Sequence, residues 1–414
     1  MYSVSNSGQD APAARWRLRI SRCSTRVTTI AGEHRSYTGL RGDAQSSMDA
    51  AIAQAAHDTL AALFVSQRAP LDQLLAEDLS LITSGSLRTK SNGIDLGQRA
   101  AAAILASRAN DGSQHAEPRI GVDFIPSNAP GKWRQDPVSR IPLALGARWG
   151  AVKPFVLGSP AQFRVAPPPP LDSAQYAAAF DEVKRIGGDG ALTPTERSEA
   201  QKNIGIFWAY DGTPSLCAPP RLYNQIAVQI AEQRGSNAVQ LARLLALVNV
   251  AMADAGIAIW ESKYFYQLWR PVTGIREADS DGNAATFADA SFIPLGAPAS
   301  NLIGPNFTPP FPAYPSGHAG FGAALFQVLR HFYGSDRIAF TFISDELNGV
   351  TLNANGSVRP RTPRSFTALS QAEEENGQSR IYLGIHWAFD KTAGIAQGRR
   401  IADAVFQGAF APQR

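Results

Sequence analysis

Cysteine, methionine and histidine are scarce in this sequence: two, three and six among 414 residues. Cys23 and Cys217 cannot build a disulfide framework, and no Cys-x-x-Cys pair offers a zinc site. No stretch of about 18 uncharged apolar residues occurs, which speaks against a membrane-spanning helix. The longest apolar run, residues 241–259, is interrupted by Arg243, Asn249 and Asp254. No apolar leader marks a secretory signal, and no repeat of 20–50 residues is present. Charge of one sign is also lacking, with 39 basic residues against 35 acidic ones for a net +4. Basic and aromatic residues are not interleaved downstream of the first segment, so nucleic-acid binding is not expected. What is present is a 44% hydrophobic fraction, enough for a sizeable core.

Basic residues gather near the start, at Arg15, Arg17, Arg19, Arg22, Arg26, Arg35 and Arg41, among serines and threonines. Residues 1–44 are therefore expected to form a disordered basic tail. Helical periodicity follows: a stripe of Ile52, Ala56, Leu60 and Leu63 capped by Ser47, a second opened by Pro70, and a third around residues 96–105. Residues 109–170 lack either period. Helices resume near Asp172. Thr193-Pro-Thr-Glu196 reads as a capping box with a helix running to Trp208, and Pro219-Pro220 opens another. The longest helical pattern starts at Ser236 or Asn237 and reaches about Phe265; later ones cover residues 317–332 and follow Asp390. The fold expected is all-α, built of packed helical bundles, with residues 45–230 as a helical part containing the long loop and 231–414 as the core.

Three segments carry chemistry. Lys263 and Arg270 are seven residues apart, about two helical turns, so both can project from one helix face. Pro315-Ser316-Gly317-His318 opens a helix, whose N-terminal N–H groups favour an anion. Ser379-Arg380 precedes His386 and Asp390, whose i, i+4 spacing lets the carboxylate orient the imidazole. Lys263, Arg270 and Arg380 supply three cations, with Ser316 and the Gly317 amide as neutral donors, for a tetrahedral oxyanion. Two histidines can then divide the work, one bonding the central atom and the other moving a proton. Each piece alone suits an ordinary role: a solvated helix face, a plain helix start, a core histidine. Their combination is the signal.

The pattern Lys-x6-Arg-Pro, Pro-Ser-Gly-His, Ser-Arg-x5-His-x3-Asp resembles the signature of the type 2 phosphatidic-acid-phosphatase and vanadium-dependent haloperoxidase superfamily, with every position occupied. Phe207-Trp-Ala-Tyr-Asp-Gly212, Pro219-Pro-Arg-Leu-Tyr-Asn-Gln225, Pro310-Phe-Pro-Ala-Tyr-Pro-Ser-Gly-His318-Ala319 and Ala55-Ala-His-Asp-Thr-Leu60 resemble the chloroperoxidase branch. The resemblance covers roughly residues 45–412. It implies vanadate as cofactor, bonded by His386. Lys263, Arg270 and Arg380 would neutralise the oxygens of the vanadate, with Ser316 and the Gly317 amide assisting. His318 would take a proton from incoming hydrogen peroxide, and Lys263 would polarise the peroxide once bound. Halide would be oxidised to hypohalous acid, beside Trp260 and Phe311. Asp390 and Asp211 would support the site from behind, Asp211 as partner of a site arginine. His34, His57, His115 and His331 match no motif and are expected to be structural or solvated.

The motif residues also fit a soluble acid phosphatase of the same superfamily, with His386 as nucleophile in a phosphohistidine intermediate and His318 as acid. A non-catalytic oxyanion-binding protein is a third reading, although simple binding has no use for His318. Expected small-molecule partners are hydrogen peroxide, halide, and vanadate or phosphate.

Overall fold

A computed structural model describes residues 34–42 and 44–411. The basic cluster before His34 lies outside the described residues. From His34 onward the chain is seated: the Arg35 amide donates to Ala411 O at 2.8 Å and the Tyr37 hydroxyl to Phe155 O at 2.8 Å. The placed chain thus begins before residue 44.

Eleven α-helices make up the described fold. They are α1 (Met48–Leu63), α2 (Arg68–Leu81), α3 (Leu87–Ser107), α4 (Ala174–Ile186), α5 (Glu199–Phe207), α6 (Pro219–Gln233), α7 (Ala238–Tyr266), α8 (Pro271–Arg276), α9 (Gly317–Tyr333), α10 (Leu369–Tyr382) and α11 (Ala388–Gly408). A two-stranded antiparallel hairpin, β1 (Phe340–Phe342) with β2 (Arg364–Phe366), pairs Phe340 with Phe366. The all-α expectation holds, and residues 109–170 contain no helix longer than the 3-10 turn Trp149–Ala151.

Helices α1, α2 and α3 form a separate layer, with α1 packed on both others. The main body is built around α7, which packs against α6, α9 and α11. Every residue from Ala246 to Ile259 is buried, as an all-round apolar helix requires. By length and composition α7 could cross a membrane; here 89% of its most apolar window lies inside the protein. Its interrupting polar residues have partners. The Asp254 carboxylate accepts three backbone N–H groups, from Phe155, Val156 and Leu157, at 2.6–3.0 Å. Asn249 and Asn224 exchange side-chain hydrogen bonds at 3.0 and 2.7 Å. The pair α9–α11 approaches closely because glycines face each other: a Cβ on Gly398 would lie 2.2 Å from Gly320 O, and one on Gly394 2.5 Å from Ser316 O.

Ser47, Asn237 and Pro219-Pro220 open their helices as expected. The Thr193 capping box does not form. The Thr193 amide donates to Asp189 Oδ1 and its hydroxyl accepts from Ile293 N, both at 2.7 Å, while Glu196 pairs with Arg185. The helix starts at Glu199 instead, under a box made by Ser198 and Gln201. The last helix begins at Ala388, so Asp390 lies inside its first turn. Helix α10 had no counterpart in the periodicity, because its buried side chains include Glu373, Asn376, Ser379 and Arg380.

Candidate active site

Lys263 stands in the last turn of α7, and its neighbour Arg270 is not on the same helix. The chain turns out of α7 at Gln267, which caps it in the left-handed region at φ +54°. Arg270 is extended at ψ 157°, as the residue before a proline should be, and caps α8. The two cations meet through a third segment. Lys263 Nζ donates to Pro312 O and Ala313 O at 2.8 and 2.9 Å, and Arg270 Nε donates to Phe311 O at 2.8 Å. These bonds hold residues 311–313, and with them the Pro-Ser-Gly-His turn, against both cations.

That turn opens α9 with Ser316 as its N-cap. The Ser316 amide donates to Asp390 O at 2.9 Å, tying the turn to the start of α11. Gly317 gives Trp260 room, since a Cβ there would lie 3.2 Å from the indole. His318 Nε2 is 2.6 Å from Ala209 O, which can only accept, so Nε2 carries the proton and Nδ1 is left with its lone pair. Asp211 lies 3.8 Å from His318 Nε2 and accepts from Arg380 Nη2 through both oxygens, at 2.7 and 2.9 Å.

His386 and Asp390 also interact, although not along a helix face. His386 precedes α11, and the Asp390 carboxylate reaches back from the first turn to His386 Nδ1 at 2.7 Å and Trp387 N at 3.0 Å. On the other side His386 Nε2 faces Arg270 Nη1 at 3.0 Å, a group that can only donate. The proton therefore sits on Nδ1, and Nε2 presents a lone pair.

Every anion-facing residue is buried, and the charges show it. Burial first, then the positive charges of Arg270, Lys263 and Arg380, push the His386 imidazole well below its ordinary range. Burial and then Arg380 do the same for His318. Burial and then Arg270 lower the Lys263 ammonium, while burial brings Arg270 down to about 9. Burial raises Asp390 to about 7, opposed by the Trp387 N–H and by Lys263 and Arg270. Both imidazoles are thus neutral near neutral pH, each in one tautomer.

Trp260 lies one turn before Lys263. Its ring centroid is 4.9 Å from that of Phe311, and Lys263 Nζ lies 5.7 and 5.1 Å from the two centroids. Both rings are only partly buried. The remaining histidines stand apart: His57 between Asp58 and Asp72, His115 on Gly112 O, His331 on Asp403, and His34 beside the Arg35–Ala411 contact. Two further supports were not visible in the sequence. Asn376 Nδ2 donates to His318 O at 2.8 Å, and the Tyr223 hydroxyl lies 3.0 Å from the same oxygen. Tyr223 sits in a noted motif, but nothing in a linear string pairs it with residue 318.

Several donors of this pocket lack acceptors. Buried Arg270 Nη2, Arg380 Nε and Arg380 Nη1 have no hydrogen-bond partner. Orphaned buried guanidinium donors are costly, so three of them beside the unprotonated nitrogen of His386 fit a bound oxyanion. Among the described residues no trio of His, Cys, Asp and Glu converges to hold a bare metal ion. Vanadate, an oxyanion that meets protein through one imidazole and several cations, fits this donor set.

Comparison with known proteins agrees with the geometry. Residues 243–412 match the VCPO second helical-bundle domain family. That segment, under half of the chain, resembles the second helical bundle of that family. It is 40% identical to the vanadium chloroperoxidase of Curvularia inaequalis over 267 residues, which is 55% of this chain and 43% of that protein. The chain thus spans under half the length of that relative. Two solved structures share the vanadium haloperoxidase fold more fully. A bacterial vanadium-dependent iodoperoxidase superposes with a TM-score of 0.77 at 24% identity, over 98% of this chain and 93% of that one. The holo form of a bacterial vanadium-dependent chloroperoxidase gives 0.69 at 18%, over 96% and 92%.

Proposed function

We propose that this protein is a vanadate-dependent haloperoxidase that oxidises chloride or bromide with hydrogen peroxide to hypohalous acid. The observation that carries the proposal is the grouping of unpartnered Arg270 and Arg380 donors around His386, whose unprotonated Nε2 is met by Arg270 Nη1 at 3.0 Å. Vanadate bound there supplies a Lewis acid that activates peroxide without changing its own oxidation state. His386 Nε2 is the bonding atom, kept available because Asp390 holds the proton on Nδ1. Lys263, Arg270 and Arg380 neutralise the oxygens, aided by the Ser316 hydroxyl and the Gly317 N–H at the helix start. His318 Nδ1 takes the proton of incoming peroxide, since Ala209 O fixes the other nitrogen as a donor. Trp260 and Phe311, the partly exposed aromatics at the edge of the cationic pocket, form the halide wall. Lys263 lies near both rings and is the cation placed to polarise the oxidant, while Arg270 also reaches Phe311, 4.8 Å from its centroid.

In this reading residues 231–414 carry the anion-binding groups, while residues 45–230 contribute Ala209 and Asp211 behind His318 and Arg380. The test is halogenation of monochlorodimedone with peroxide and bromide or chloride, with and without orthovanadate, beside hydrolysis of p-nitrophenyl phosphate. Halogenation that needs orthovanadate is expected. Hydrolysis that orthovanadate merely inhibits, with no halogenation, makes the protein a phosphatase working through His386 as nucleophile.

A further inference from the structure

Three consecutive residues, Ala209, Tyr210 and Asp211, serve two groups of the proposed mechanism at once. Ala209 O holds His318, and Asp211 holds Arg380. Between them Tyr210 is at φ +46°, a left-handed conformation that is unfavourable for a bulky residue and needs support from its surroundings. The support comes from one short turn, residues 344–347, which grips this segment at three points. The Ser344 hydroxyl donates to Phe207 O at 2.6 Å, Glu346 Oε1 accepts the Tyr210 N–H at 3.0 Å, and the Asp345 N–H donates to the Tyr210 hydroxyl at 2.7 Å. Glu346 is itself fully buried and anchored on the far side by the Ser300 hydroxyl at 2.6 Å and by Arg359. Neither Glu346 nor its anchors touches the anion pocket.

We propose that Glu346 is a positioning residue: by accepting the Tyr210 N–H it holds residues 209–211 so that Ala209 O fixes the His318 tautomer and Asp211 fixes Arg380. The inference rests on His318 being the proton-transfer group. It explains why a buried carboxylate stands behind residues 209–211. A displacement of Ala209 O frees His318 to carry its proton on either nitrogen, and the tautomer with Nδ1 protonated cannot accept from peroxide.

The test uses the full chain. Glu346→Gln with Arg359→Met keeps a carbonyl acceptor for Tyr210 N without leaving the Arg359 charge unpaired, and is expected to behave like the parent. Glu346→Ala is expected to lower kcat for bromide oxidation roughly 10–100-fold, and to weaken orthovanadate binding through the released Arg380. In the vanadate-free protein, side-chain 15N NMR of His318, assigned with His318→Ala, should change from one tautomer to a mixture. Because Glu346→Ala strands the buried Arg359, Glu346→Ala with Arg359→Met provides a version without an orphaned charge. A folded alanine variant that keeps the parental His318 nitrogen pattern, orthovanadate affinity and kcat overturns the proposal. If His318→Ala retains turnover, the role of His318 falls, while the tautomer measurement still decides whether Glu346 positions its ring.

Discussion

The two histidines of the site are set up as opposites. His386 holds its proton on Nδ1 against Asp390, and His318 holds its proton on Nε2 against Ala209 O. In the proposed mechanism one lone pair serves as ligand and the other as base, and two substitutions should separate these roles. His318→Ala should lower kcat about 10²–10⁴-fold while orthovanadate still binds. His386→Ala should weaken orthovanadate binding by more than the roughly 10–100-fold typical of groups that merely support a ligand. Isothermal titration alongside halogenation kinetics checks both; equal loss of affinity in the two variants would remove the distinction. The proposed halide wall has its own handle at Gly146. Its φ is +75°, and a Cβ there would sit 2.1 Å from the Trp260 indole, whose N–H is tied to Leu145 O at 3.1 Å. Gly146→Ala should displace Trp260 and raise the KM for halide, with orthovanadate affinity little changed.

Among the elements, the junction of α9 and α11 sets the anion turn. Gly394 lets the backbone of α11 pass beside Ser316 O. Gly394→Ala forces this contact apart, at a cost of about 1–3 kcal/mol. It should lower Tm and weaken oxyanion binding together, because the Ser316 turn moves with the helix. Elements also show where periodicity stopped informing. Helix α7 was legible from its apolar residues, and so were the caps at Ser47 and Asn237. Helix α10 was not, because what it buries is Glu373, Asn376 and Arg380, satisfied by partners far along the chain or directed at the site, and Ser379, bonded to Asn376 O within the helix. The seven-residue spacing of Lys263 and Arg270 pointed to the right pair for a wrong reason. Gln267 ends the helix between them, and the carbonyls of residues 311–313 bring them together.

For the molecule as a whole, the clustered cations make folding and anion binding one equilibrium. Arg270 and Arg380 carry buried donors without acceptors, so a tetrahedral oxyanion should stabilise the fold. At one hundred times Kd the expected gain is about 2.7 kcal/mol. Orthovanadate and, more weakly, phosphate should raise Tm in differential scanning fluorimetry, chloride at equal ionic strength should not, and Arg380→Ala should abolish the shift. A rise of equal size with every salt would mean general screening rather than a site.

The scarcity of thiols and methionines suits, as a hypothesis, an enzyme that releases hypohalous acid, and it could be read from composition alone. The candidate site residues could be picked out from the order of the string, because charge type, Gly, Pro and their spacings are local properties. The sequence also determined that the protein would be helical, through apolar period and caps. What only the tertiary structure decided is which atom of each side chain is free. Ala209 O, Ile385 O and the carbonyls of residues 311–313 are backbone groups with no side-chain signature. They select the tautomer of His318 and aim Lys263 and Arg270, and only folding brings them to the same place.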